Sequence, residues 1–511
     1  MASTTLDRAV QYARLSRDVL RGRISRDQQV KQTATRMIAE RLGRMRGLPQ
    51  KVGQMLSFGE SKEQENPFAQ LRESAEPMPL EEALGLLEKS WGRPPEQFLT
   101  RIDSQGKAAS IGQVHKAKLT DGREVAIKVQ YPGIKRAVMI DLNMLGWLSM
   151  PMGNLRHGFD LQSYRRMILT GLEEELDYRI EAKFQRRYAE GPGRDPFVVV
   201  PEVIESLSTE HVLVSQWREG THFDEVCASW SPQSRRAVGD QMVRWFLSSI
   251  FDHGLLHADL HPGNVRFLAS GDQPKLLLYD FGSMFQPTNT QRLALLRLLR
   301  STLDESESPY PLFLSLGFQA EYLEPLQAKL PALCKILFEP LIAEYPFDVR
   351  DWNLGERVTD LLGDDRLNFR IAGPPALVYL LRAFHCLRGY LQGLDARIQW
   401  RTHLMPILKR HATPMAQLPI PPTNVATGYE GLAKYLKIQV RRENRVTAQI
   451  TCQGSAIDNL GELIDPQTLT KIRNANIDLQ HLVREVRQRG YTPGEVFELQ
   501  DDEKCIAVWL E

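Results

Sequence analysis

Two short loops, set in a fixed order, constrain this sequence more than any other feature. The first is HADLHPGN, His257–Asn264. The second is DFG, Asp280–Gly282, which begins sixteen residues after Asn264 and directly follows the apolar run Leu276–Leu278 and Tyr279. In the first loop a carboxylate (Asp259) is followed five positions later by an amide (Asn264). Phosphoryl transfer needs a carboxylate beside an attacking hydroxyl and an amide oxygen on a metal ion. In the second loop Asp280, at the end of a buried strand, is placed to hold Mg²⁺ across two phosphates. Either loop alone is a weak signal, since DFG arises often by chance and H-x-D-x-H also suits a metal site. The ordered pair at this spacing is a strong one.

Protein kinases space these groups in the same way, as H-R-D-x-x-x-x-N and then D-F-G. The remaining parts of such a site belong upstream. In EVAIKVQ, Glu124–Gln130, Lys128 sits mid-strand among apolar residues, where an unpaired ammonium is costly. That form matches the lysine that pairs with nucleotide phosphates and a helix glutamate. The acidic stretch EEELDYRIEAKF supplies the glutamate. Read as one helix, it places Asp177 and Glu181 on a shared face and points Glu175 elsewhere, so Glu181 is the expected partner of Lys128. The glycine-rich loop of ordinary kinases is missing. Its place is taken by KAASIGQVH, Lys107–His115, in which Gly112 is the only glycine. Alanine permits close backbone approach without glycine's freedom at positive φ, so the loop must hold a nucleotide differently.

Around these motifs the pattern predicts an α+β chain with a two-lobed, atypical protein-kinase-like fold. Residues 1–95 read as a helical N-terminal extension, 96–217 as a strand-rich lobe and 218–413 as a helical lobe. Residues 414–430 read as a Pro-rich linker and 431–511 as a small α+β domain. In the strand-rich lobe Val114–Leu119, Glu124–Val129, Val198–Ile204 and Val212–Ser215 read as strands. In the last domain Leu436, Ile438 and Val440 alternate, as do Val446, Ala448 and Ile450. A helix near Ile477–Arg489 and two closing strands follow.

Charge and cysteine usage exclude several classes. Lys plus Arg number 64 against 63 Asp plus Glu, so global charge predicts no nucleic-acid partner. The first 54 residues are the exception, with 12 basic against 4 acidic side chains. They form either a solvated basic face or a surface for phosphate or anionic lipid. The five cysteines are scattered with no C-x-x-C, which excludes a zinc ribbon and suggests a reducing compartment. No apolar signal core opens the chain, and Asp7 and Asp18 weigh against a mitochondrial presequence. PPALVYLLRAFHCLRGYLQGL is the nearest approach to a membrane span. Arg382 and Arg388 interrupt it, so it reads as a buried helix of a soluble domain. The expected location is cytoplasmic, at most peripheral to a membrane.

Five ordered motifs together resemble the UbiB/AarF family of atypical kinase-like proteins, which includes the ADCK group. RMRGLPQKVGQMLSF is similar to the family's KxGQ signature, with Lys51, Gly53 and Gln54. AASIGQVH resembles its Ala-rich loop, and ELDYRIEA its ExD motif, with Glu175 and Asp177 ahead of Glu181. HADLHPGN and YDFG complete the set. The resemblance implies that the N-terminal extension covers the cleft, with Lys51 reaching the ExD acids and Gln54 beside it. It implies that ATP or ADP with Mg²⁺ is held by Lys128, Glu181, Asp259, Asn264 and Asp280. Ala108, Ala109 and Ser110 would line the phosphates, and Ser215, Gln216 and Trp217 would serve as the adenine hinge. It also implies ATPase activity and a link to coenzyme Q or other isoprenoid-lipid metabolism, with no protein partner specified. Lys107 replaces the first alanine of the family's loop, and Leu260 replaces a common proline. Three other readings stand beside this one: a nucleotide-binding regulator with little turnover, an orthodox protein kinase, and a metal hydrolase using His257, Asp259 and His261. The last leaves Lys128 and Asp280 unexplained.

Overall fold

The structure is a computed structural model. It describes residues 77–109, 111–135, 174–269 and 274–421, and most of 433–511. The KxGQ residues Lys51 and Gln54, and Ser110 of the Ala-rich loop, lie outside the described residues. The chain divides into two compact units. One holds the described residues up to Ser229, together with His257–Phe285 and Val378–Cys386. The other holds Trp230–Leu256, Gln286–Leu377 and the chain after Leu387.

The first unit is built on a five-stranded sheet. Strands β1 (Leu99–Ile102), β3 (Gly112–Leu119), β4 (Glu124–Gln130) and β6 (Val212–Gln216) follow one another, and β2 (Lys107–Ala108) pairs with β3. The turn between β3 and β4 uses Gly122 at φ 90°, a conformation open to glycine. Along β4, Val125, Ile127 and Val129 are buried in the core, so the two-residue repeat turns Lys128 to the opposite face. Helix α1 (Leu80–Trp91) places Ala83 and Leu87 in the same core. It ends at Gly92, whose left-handed conformation lets its N–H donate to Glu88 O at 2.8 Å.

The GQVH segment shows why that sequence suits β3. Gln113 and His115 are both fully buried. The Gln113 side chain accepts from Met78 N (2.7 Å), donates to Met78 O (3.2 Å) and meets His115 Nε2 at 2.7 Å. His115 Nδ1 lies 2.9 Å from Asp103 O. A carbonyl can only accept, so Nδ1 carries the proton and Nε2 accepts from Gln113. The pair is therefore a satisfied internal network that ties the Met78 segment to the sheet.

Helix α2 (Tyr178–Glu190) buries the stripe Tyr178, Glu181, Ala182, Gln185 and Tyr188. Its polar members have dedicated partners, Gln185 donating to Pro201 O at 2.6 Å and Glu181 meeting Lys128. The strand expected over 198–204 is cut short. Only β5 (Val198–Val199) is regular, because Pro201 has no N–H to donate. Beyond the proline, Ile204 N bonds to Val214 O beside β6. Strands β7 (Leu256–His257), β8 (Val265–Leu268), β9 (Lys275–Leu278) and β10 (Met284–Phe285) frame the two loops. In β9, Leu276–Leu278 are fully buried.

The second unit is helical before the C-terminal sheet. Helix α3 (Pro232–Phe251) starts with a Ser231 cap and Pro232 in its first turn. Helix α4 (Asn289–Asp304) begins with a reciprocal capping box between Thr288 and Gln291. Helix α5 (Leu377–Gly393) supplies Val378–Cys386 to the first unit, and helix α6 (Trp400–Arg410) follows. Asp252 after α3 is met by Arg410 at 2.7 Å and His411 at 3.0 Å. At the C-terminus, β11 (Tyr435–Arg442), β12 (Arg445–Gln453), β13 (Gly494–Asp501) and β14 (Lys504–Leu510) form an antiparallel sheet in the order β12-β11-β14-β13. Helices α7 (Pro466–Asn474) and α8 (Leu479–Gln488) add Ile472 and Val486 to its core of Leu436, Ile438 and Val508. This is the α+β accessory domain read from the alternation. No described helix is long and apolar enough to cross a membrane.

Candidate active site

The centre of the site is a carboxylate–ammonium cluster within the first unit. Lys128 Nζ lies 2.9 Å from both oxygens of Glu181 and 3.5 Å from Asp280 Oδ2. The side chain of Glu181 is 4% exposed and that of Lys128 13%, whereas Asp280 is 41% exposed. The ammonium therefore links a buried carboxylate to one that faces solvent. Burial alone would lower the Lys128 pKa, but the negative charges of Asp280 and Glu181 overcome it, and the net shift is upward. Burial pushes the Glu181 carboxyl up to about 6, while Lys128 pulls against it. Phe281 N also donates to Glu181, which joins helix α2 to the DFG loop.

Asp280 has a left-handed backbone, φ 54°, and its Oδ1 accepts from Gly282 N at 3.2 Å. Phe281 behind it is fully buried, with its ring 5.2 Å from His257 and 5.4 Å from Tyr188. His257 is buried as well. Asp259 N donates to its Nδ1 (3.3 Å), so Nε2 carries the proton and donates to Tyr279 O (3.0 Å). Burial lowers the His257 pKa, Asp259 opposing, in keeping with a neutral ring whose two nitrogens are both engaged. The first histidine of HADLHPGN thus braces the loop. His261 Nδ1 accepts from Gly263 N at 3.0 Å. Among the described residues no group of three or more His, Cys, Asp or Glu is placed to hold a metal by itself.

Asn264 Nδ2 donates to Asp259 O at 3.2 Å, which closes the HADLHPGN loop on itself. Asp259 meets a residue that the motifs did not indicate. Arg382 of α5 approaches its Oδ1 to 2.5 Å. The sequence signal was present: an arginine inside the otherwise apolar run LVYLLRAF needs an anion if it is buried.

The acidic motif before α2 reverses the expected orientation. Asp177 is not on the helix face of Glu181. It caps the helix, accepting from Arg179 N at 3.0 Å, and its carboxylate pairs with the Arg179 guanidinium at 2.7 Å, which lowers its pKa. Glu175 is the acid near the DFG loop, since its Cγ would lie 3.7 Å from a Cβ added at Gly282. The helix starts only at Tyr178, so the helical spacing assumed across Glu175–Glu181 does not hold.

The Ala-rich segment forms a tight hairpin in which Ala108 pairs with Gln113 and Ala109 N donates to Gly112 O at 2.7 Å. A Cβ at Gly112 would meet Val129 O at 2.3 Å and the Tyr178 hydroxyl at 2.8 Å. Gly112→Ala should therefore displace the hairpin and cost about 1–3 kcal/mol by overpacking, with weakened nucleotide binding. Denaturant unfolding and a nucleotide titration measure the two effects, and an unchanged variant contradicts this packing. At the hinge positions, Ser215 and Gln216 end β6 beside β4, and Trp217 N donates to Glu124 O at 2.9 Å. The Trp217 ring carries Lys116 at 5.0 Å.

Comparison with known proteins agrees with this geometry. The model of the ABC1 atypical kinase-like domain matches residues 70–308. Rat (Rattus norvegicus) atypical kinase COQ8B, mitochondrial, is 33% identical over 252 residues, 48% of this chain and 47% of its own length. Atypical kinase COQ8, mitochondrial, of Saccharomyces cerevisiae is 28% identical over 354 residues, 67% of this chain and 70% of its own. The chain spans about half the length of the rat relative. Among solved structures, Rv3197 of Mycobacterium tuberculosis, in complex with erythromycin, superposes with a TM-score of 0.50 at 26% identity, covering 65% of this chain and 83% of that one. The residues that build the Lys128–Glu181–Asp280 cluster all lie within the stretch that matches the ABC1 atypical kinase-like domain, and the chain is similar to COQ8-type atypical kinases.

Proposed function

We propose that this protein binds ATP with Mg²⁺ and transfers or hydrolyses the terminal phosphoryl group. The observation that carries the reading is the Lys128 ammonium held at 2.9 Å by buried Glu181 and at 3.5 Å by solvent-facing Asp280. A buried strand lysine oriented by a helix carboxylate presents a fixed positive charge to phosphate oxygens. Asn264 and Asp280 offer the hard oxygen donors that suit Mg²⁺, which takes one or two protein ligands and completes its shell with phosphates and water. Bound there, Mg²⁺ would neutralise charge on the phosphates. Asp259 is the carboxylate available to accept a proton from the attacking hydroxyl or water. On the resemblance, Ser215, Gln216 and Trp217 are assigned to the adenine hinge, and Ala108, Ala109 and Ser110 to the phosphates.

The resemblance to COQ8-type proteins supports a role connected with coenzyme Q or another isoprenoid lipid, with the basic N-terminal residues meeting an anionic membrane surface. Lys51, Gln54, Glu175 and Asp177 are assigned a regulatory role on the same basis. A second reading, a regulator that binds nucleotide and turns over little, is favoured by one observation: the Asp259 carboxylate is already engaged by Arg382.

The test is release of γ-phosphate from labelled ATP by the full chain, with and without Mg²⁺, in the presence and absence of isoprenoid-containing vesicles. Mg²⁺-dependent release is the expected result. Nucleotide binding with no release under any condition would replace this proposal with the regulator reading.

A further inference from the structure

Arg382, on helix α5, reaches Asp259 of the HADLHPGN loop from more than 120 residues further along the chain. Its side chain is 12% exposed and its guanidinium reaches Asp259 Oδ1 at 2.5 Å. That oxygen and the Arg382 Nε are both shut off from solvent, and neither atom makes a hydrogen bond of good geometry, so the contact is a close, buried ion pair. The Asp259 side chain as a whole remains 22% exposed, so Oδ2 is the oxygen left for an acceptor. On α5, Tyr379 lies three residues before Arg382 and shares its face. Burial raises the Tyr379 pKa, with Glu174 adding to the rise and Arg382 opposing it. Tyr379 and Arg382 thus share one face of α5, the face that reaches the HADLHPGN loop through Arg382.

A guanidinium buried against one oxygen of a carboxylate fixes a positive charge at that oxygen and so biases which oxygen is left outward. We infer that Arg382 is a positioning residue for the transfer step, holding Asp259 by one oxygen so that the other faces the acceptor. The inference rests on the proposed nucleotide-site reading. In the step it serves, the acceptor O–H proton passes to Asp259 Oδ2 as the acceptor oxygen bonds to the γ-phosphorus. The bond from that phosphorus to the bridging oxygen breaks, and its electron pair leaves with ADP. When water is the acceptor the products are ADP and inorganic phosphate. Without Arg382 the carboxylate loses its fixed orientation, and a misplacement of the order of 1 Å is enough for roughly a 10²-fold loss of rate.

The test compares wild type, Arg382→Ala, Arg382→Lys, Asp259→Asn and the Arg382→Ala/Asp259→Asn double variant of the full chain. Three quantities are read: kcat, the Kd for Mg-ATP by titration, and the unfolding midpoint. The expected pattern is a fall in kcat of roughly 10²-fold in Arg382→Ala with little change in Kd. Arg382→Lys should recover part of the loss, because it keeps the charge without the fork. The double variant should be no slower than the slower single variant, since both changes break one unit. An unchanged kcat in Arg382→Ala, or losses in the double variant that multiply, would overturn the inference and leave the nucleotide reading standing. Parallel loss of Kd and midpoint in both Arg382→Ala and Arg382→Lys would reduce Arg382 to a structural role. Failure of wild type to bind Mg-ATP would remove the underlying reading and the inference together.

Discussion

Replacing Lys128 with methionine should abolish nucleotide binding and destabilise the first unit by about 3–5 kcal/mol, the cost of leaving one partner of a buried ion pair alone. The ammonium is the shared partner of Glu181 at 2.9 Å and Asp280 at 3.5 Å. Asp280 is largely hydrated without it, but Glu181, 4% exposed, is not. The deficit should depend on pH with a definite sign. Burial already holds the Glu181 carboxyl up at about 6, above its ordinary value near 4.5, and Lys128 pulls it down. Removing Lys128 raises it further. A carboxyl with a raised folded-state pKa binds more protons in the folded than in the unfolded chain, so stability falls as pH rises. The variant should therefore be closest to wild type below about pH 4.5 and lose ground as pH climbs through 6 to 8. Lys128→Met/Glu181→Met should recover most of the stability, because apolar residues tolerate that environment, and none of the nucleotide binding. Urea unfolding at three pH values beside an ATP titration separates these outcomes. Equal stability of the two variants at pH 8 would sink the ion-pair account.

The second large effect is expected at Asp280. Asparagine keeps the shape and, among non-glycine residues, tolerates the left-handed backbone found there at φ 54°. Its side-chain oxygen can still accept from Gly282 N, now 3.2 Å from Asp280 Oδ1. Asp280→Asn should fold with a midpoint close to that of wild type. What it removes is a negative charge facing solvent beside Lys128, and with it the proposed hard ligand for Mg²⁺. Loss of a dominant electrostatic contact in phosphoryl transfer lowers turnover by roughly 10²–10³-fold, and the Mg²⁺ dependence of ATP binding should flatten. A variant that retains wild-type Mg²⁺ dependence would place the metal elsewhere.

The parts of the site that the sequence made legible are those in which chemistry and periodicity agree. Lys128 alternates with Val125, Ile127 and Val129, so a two-residue repeat is enough to turn it away from the core. Glu181 lies in a helical stripe that is otherwise apolar or hydrogen-bonded, and a carboxylate there demands a cation. The accessory domain was likewise plain from the alternation of Leu436, Ile438 and Val440.

What was not legible depends on local backbone or on distant partners. Helical spacing was carried back across Asp177, although an Asx cap ends the helix there and moves Glu175, rather than Asp177, towards the DFG loop. Gln113 and His115 follow the alanines of the loop that stands in place of the Gly-rich one, and nothing in the sequence signalled that both are fully buried in a network with Met78 and Asp103. Arg382 follows Asp259 by more than 120 residues, and only the fold brings the two together. With Arg388 it argued against a membrane span, and a charge set in an otherwise apolar stretch of helix was also a request for an anion.

The most direct test of the central claim, that Lys128, Glu181 and Asp280 form one Mg-nucleotide phosphate site, is calorimetric titration of ATP into wild type and Asp280→Asn, each with and without Mg²⁺. The account predicts tight binding by wild type only when Mg²⁺ is present, and weak, Mg²⁺-insensitive binding by the variant. Identical titrations for the two proteins, or no binding by wild type under either condition, would contradict it.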